Sequence, residues 1–222
     1  MKKNKMKKFL AFASSVIMTY TFAACGNGGS SESSSKNDGN LVGYDENYSP
    51  DDMPENASTI LMTKEESGTP IQLEYISGQL NSDQGKLLCR YFNAVGNKDA
   101  ATLETCVYGG YFDLLLGKET ITDIDDYAAK LYNSYVQFTG GNFVFNYLIQ
   151  DSTAEADFDM YDEIVAAFAP ESQIEERTAV NIDAYISSEE LNLSSVPLKN
   201  RMDGEMLSIV IYKIDGQYYI MG

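Results

Sequence analysis

MLSIVIYKIDGQYYIM, residues 206–221, consists of two β-rich runs joined through Asp215-Gly216. The tightest hairpin turns need positive φ at both central residues, which Asp tolerates and Gly adopts freely, so this stretch predicts a two-residue β-hairpin. Upstream, Val180, Ile182, Ala184 and Ile186 alternate with more polar residues, and so do Phe143, Phe145, Tyr147 and Ile149. Period-two alternation predicts half-buried strands in both places. Between them, Tyr161, Ile164, Val165 and Phe168 predict a short helix stopped by Pro170.

Before Gly140-Gly141 the period changes. Ile124, Tyr127, Ala128, Leu131 and Tyr135 trace a helical stripe, with Thr122 and Asp125 placed as a capping box. Leu87, Leu88, Tyr91, Phe92 and Val95 trace another, capped by Asn81 or Ser82 and ended at Gly96-Asn97-Lys98. Ala100, Leu103 and Val107 mark a second helix running back along that one. The apolar segment Tyr111–Leu116 fits a buried helical turn or a short strand equally well, because so short a run carries no decisive period. At the start, Ile60–Met62 and Ile71–Ile76 flank the polar Glu65–Pro70 and predict a hairpin. Helices first and mostly antiparallel strands later define an α+β domain.

The chain begins with Lys2, Lys3, Lys5, Lys7 and Lys8, then an apolar run from Phe9 to Phe22, then Phe22-Ala23-Ala24-Cys25. These are the zones of a secretory signal, and the run is shorter than the ~20 apolar residues of a membrane span. The last four residues resemble the lipobox of bacterial lipoproteins, with Phe22 where Leu is usual. The resemblance implies cleavage before Cys25, a diacylglycerol on its thiol, and a place on the extracytoplasmic face of a cell membrane. Residues 1–24 are then signal peptide, 25–57 a lipidated cysteine and disordered tether, and 58–222 the folded domain. The stretch GNGGSSESSSKNDGN, residues 26–40, has no aliphatic or aromatic side chain to bury. Gly/Ser statistics give it an end-to-end distance of about 20 Å.

The whole chain has 16 Lys+Arg and 33 Asp+Glu. Without the five signal lysines, 11 basic residues face 33 acidic ones, a formal charge of −22. Such a surface is repelled by nucleic-acid phosphates and anionic headgroups, so nucleic acid is not an expected partner and the membrane is met through the anchor. Cys89 and Cys106 lie about equally far from the Gly96–Asp99 turn. They are either a disulfide, which export permits, or two thiols packed separately in the core.

Three stretches together resemble the nuclear transport factor 2-like superfamily, a cystatin-like α+β fold. They are Leu87–Ala94 with Asn97-Lys98-Asp99, the helix Ile124–Tyr135 leading into Phe143–Ile149, and the closing Lys213–Ile220. The resemblance implies N-terminal helices lying across a curved, mostly antiparallel sheet to make a cone with a pocket. The opening hairpin and the helix near 159–168 are additions to that fold. Members include isomerases, dehydratases and non-catalytic binding domains, so the site must decide the function.

The chain has no His. That removes histidine-based triads, histidine zinc sites and the His/Asp pair of the superfamily's dehydratases. An isomerase-type site would need a pocket carboxylate and a Tyr, and Asp183 with Tyr147, Tyr185 or Tyr212 can be drawn that way; alternation instead puts Asp183 on a solvent face. Asp151, Glu155, Asp157, Asp159 and Asp162 cluster, but an EF-hand loop from Asp157 would place Asp162 where Gly belongs and Phe168 where Glu belongs. No catalytic, cofactor or metal site is therefore expected. The expected function is a non-catalytic binding module for a small apolar ligand or an envelope protein. Its pocket should be about 300 Å³ or more, between the sheet and the helix face of Leu88, Tyr91, Phe92 and Val95.

Overall fold

The computed structural model describes residues 57–62 and 69–221. Residues 1–56, which hold the expected signal peptide, Cys25 and all but the last residue of the expected tether, lie outside the described residues, as does most of the polar stretch between the first two strands. In chain order the elements are β1 (Ala57–Met62), β2 (Ile71–Ile76), α1 (Ser82–Asn97), α2 (Ala100–Cys106), α3 (Gly109–Gly117), α4 (Ile124–Thr139), β3 (Val144–Thr153), α5 (Phe158–Phe168), β4 (Ile174–Ser188), β5 (Leu193–Pro197), β6 (Leu207–Ile214) and β7 (Gln217–Ile220). A 3-10 turn at Leu198–Arg201 follows β5. The domain is α+β, with five helices packed on one strongly curled, seven-stranded mixed sheet. Among the described residues no helix is long and apolar enough to cross a membrane.

Local chemistry explains most boundaries. Asn81 caps α1, accepting from the amides of Asp83 and Gln84, while Gln84 Oε1 accepts from Asn81 N at 2.9 Å. This reciprocal box satisfies amides that would otherwise have no partner in the first turn. Lys98 ends α1 in the left-handed region at φ 55°, and Asp99 caps α2. The α4 cap is one residue later than expected: Asp123 accepts from Asp126 N, and Asp126 Oδ2 accepts from Thr122 N. The pair works as a box shifted by one because the carboxylate at Asp123 is a stronger acceptor than the Thr122 hydroxyl. The ambiguous Tyr111–Leu116 segment is helical, within α3.

The closing hairpin forms as read. Ile214 pairs Gln217, and Asp215 and Gly216 have φ of 49° and 83°, both positive as a two-residue turn of this kind needs. The opening strands also form an antiparallel pair, Met62 opposite Ile71. They are not an appendage, however. β2 runs parallel to β3, Leu73 opposite Leu148, and both residues are fully buried. A parallel neighbour joined across four helices leaves no local trace, so the mixed character of the sheet is a structural finding.

β4 organises the sheet. Its fifteen residues pair with β6 along Ile174–Ile182 and with β3 along Val180–Ser187. Bulges in the β3 pairing next to Asn146 and Asp151 add bend and twist, helping to curl the sheet. Val180, Ile182, Ala184 and Ile186 form one buried face of the strand. Gly96 lets the end of α1 approach β3, since a Cβ there would lie 3.2 Å from Phe145 N and 3.4 Å from Val144 Cα.

Candidate binding site

The inward face of α1 is solid core. Leu88, Phe92 and Val95 are fully buried, with the Phe92 ring edge-on to Phe145 at 5.0 Å and to Tyr91 at 5.4 Å. The cavity found among the described residues does not reach Leu88, Phe92 or Val95, since Phe145 of β3 packs against Phe92 there. Of the four residues named for the expected pocket, Tyr91 borders that cavity.

That cavity lies elsewhere, between α4 and the beginning of β6, and has a volume of about 200 Å³. From α4 come Tyr127, Leu131, Ser134, Tyr135 and Phe138, one stripe at helical spacing. Opposite stand four consecutive residues, Leu207 to Val210, with Met221 beside them. Tyr91, Tyr111 and Tyr161 bring rings from α1, α3 and α5. Four consecutive β6 residues reach the cavity because it lies at the strand's edge as well as its face. β7 pairs with β6 only from Ile211 to Ile214, and Met221 N still donates to Val210 O at 2.9 Å. Beyond that bond, no described strand pairs with Ser208 on the side away from β4.

The lining is apolar and aromatic with few polar groups. Burial raises the pKa of Tyr91, Tyr111, Tyr127 and Tyr161, and neighbouring tyrosines raise those of Tyr91, Tyr111 and Tyr127 further. All four are neutral phenols at physiological pH. Ser134 donates to Leu131 O within its own helix. Lys130 donates to Thr120 O and to Asp126 Oδ2, each at 2.8 Å. None of the lining residues is a carboxylate or a cysteine.

The other candidates are dispersed. Asp183 is not on a solvent face: it is 4% exposed, and Lys199 Nζ of the 3-10 turn lies 2.6 Å from its Oδ2. The turn packs on β4 and places the lysine over the carboxylate, which alternation alone does not reveal. Tyr147 and Tyr185 pack on each other at 5.2 Å. Tyr212 belongs to a different group, its hydroxyl 2.8 Å from Asp162 Oδ1. Asp162 also takes Arg177 in a two-pronged pair at 2.9 and 2.8 Å, which holds its carboxyl below the usual carboxylate range. Asp157 caps α5. These pairs are structural uses of the acidic stretch. Among the described residues, no group of three or more side chains is placed to hold a metal ion.

Cys89 and Cys106 are both buried free thiols. Burial pushes the Cys89 thiol up to about 12. It also raises that of Cys106, against the pull of the Arg90 guanidinium, whose Nη2 lies 3.8 Å from the sulfur. Neither is an activated nucleophile.

No family model matches the chain, and neither the curated proteins nor the solved structures yield a match.

Proposed function

We propose that the chain is an extracytoplasmic lipoprotein, anchored through a diacylglycerol on Cys25, whose cone-like domain of nuclear transport factor 2 type recognises a protein partner without transforming it. The observation that carries the reading is the aromatic cavity of about 200 Å³ between α4 and β6. Small-molecule sites run from about 300 to 1,000 Å³, so this volume suits one bulky side chain better than a whole ligand. A pocket that accepts a single apolar anchor, with polar surface around it, is how many protein interfaces concentrate their affinity. The non-catalytic reading is supported by the lining, where neutral phenols and apolar groups predominate beside Lys130 and Ser134 and no lining residue is a carboxylate. In the isomerase-type alternative, Asp183 would be the base, but it sits against Lys199 and not among those rings.

The test is entry of a side-chain mimic. Toluene added to the ¹⁵N- and methyl-labelled full chain should shift Leu131, Tyr135 and Ile209 resonances saturably, and Ser134→Phe should abolish the shifts. Unchanged resonances at toluene saturation would overturn the proposal.

A further inference from the structure

We infer that the occupant of the cavity is a side chain of an extended, basic peptide strand of a partner protein, and that this strand pairs with the open edge of β6 at Ser208. The inference rests on the cavity reading above and specifies its partner. It starts from hydrogen-bond alternation. Ile214 and Gln217 close the two-residue hairpin, Tyr212 pairs Tyr219, and Met221 N donates to Val210 O. Even-numbered residues of β6 therefore aim their amides and carbonyls at β7, and odd-numbered ones at β4. The Ser208–Asn181 pair fits this pattern: it is of the non-hydrogen-bonded kind with side chains close, Ser208 Oγ donating to Asn181 Oδ1 at 2.8 Å.

Ser208 consequently presents its N–H and C=O on the side where no described strand lies, next to the cavity. An extended main chain entering in line with β7 satisfies both groups. Alternate side chains of such a strand project to the same face, so one enters the tyrosine-lined space while its neighbours point away. The chain's formal charge of −17 favours basic residues at those outward positions. Main-chain pairing thus supplies register, and the cavity selects the bulky apolar residue.

The probe is the acetylated, amidated heptapeptide KFKVKFK, used with the full chain, together with two versions N-methylated at alternate amides in opposite frames. Binding should shift the Ser208 amide and the Leu131 methyls. One methylation frame should lose at least about tenfold in affinity and the other should retain it, because only one set of amides faces β6. Ser208→Pro, which removes an amide not used by β4, should weaken binding by about tenfold. Ser208→Ala, which keeps the amide, should stay within about twofold of the parent. Equal affinity for both methylated peptides, or undiminished binding by a folded Ser208→Pro protein, would overturn the inference. If toluene enters the cavity and no peptide binds, the strand inference falls and the cavity reading stands; if neither binds, both fall.

Discussion

α1 and α4 are each sixteen residues long, each is capped by an Asn or Asp, and each carries an apolar stripe at i, i+3 and i+4 spacing. Their stripes nonetheless meet different surroundings. Leu88, Phe92 and Val95 of α1 press on the middle of the sheet and leave no space, whereas Leu131 and Phe138 of α4 are only partly buried and border the cavity. The cause lies in what each helix faces. α1 packs on β2, β3 and β7, where Phe145 meets Phe92, while α4 faces the part of β6 that β7 does not reach. A stripe shows which side of a helix turns inward; the strand pairing opposite decides whether that side meets a filled core or a gap.

The comparison breaks if the two stripes respond alike to truncation. Phe92→Ala should cost about 3–5 kcal/mol in urea unfolding, since it opens a hole in packed aromatic surroundings. Leu131→Ala should cost only about 1 kcal/mol, below the range for a fully enclosed leucine, because its side chain already borders open space. Equal losses would show that the cavity wall is as tightly packed as the core. The caps offer a finer test of how α4 is placed against β6. Asp123→Ala should lose about 1 kcal/mol and Thr122→Ala less than about 0.5 kcal/mol; the reverse order would move the helix start back to Thr122.

α5 holds Tyr161 at the cavity wall, and its tie to the sheet is pH-dependent. Asp162 is held below the ordinary carboxylate value of about 3.9 by Arg177 and Tyr212. Its contribution is therefore complete above that value and is lost as pH falls through the lower folded-state value. Asp162→Asn should be less stable than the parent at neutral pH, with the gap in thermal midpoint closing as pH drops below about 4. A gap independent of pH would mean that the Asp162–Arg177 pair contributes nothing measurable. A small effect on stability is also expected of Ser134→Phe, which fills existing space and should change stability by less than about 1 kcal/mol while blocking the site.

Much of the architecture was legible because it depends on near neighbours. The Asp215-Gly216 turn, the Asn81 cap and the stripes of α1 and α4 each follow from residues a few positions apart. What escaped was non-local. Nothing in Ile71–Ile76 announces a parallel partner 75 residues later, and nothing in the alternation around Asp183 announces that Lys199 will cover it. The cavity was misplaced for the same reason. Tyr127, Leu131 and Tyr135 were recognised as a helix face, and Met206–Met221 as a hairpin, but the short reach of β7 along β6 is set by pairing register, which sequence period does not encode.

The account turns on β6 having an open edge at the cavity, and hydrogen exchange resolved at single amides measures this directly. In the free full chain the Ser208 amide should exchange far faster than those of Leu207 and Ile209, whose amides face β4, and the KFKVKFK peptide should slow Ser208 without changing the other two. Protection of Ser208 equal to that of its neighbours in the free protein would contradict the account, because the edge would already be closed.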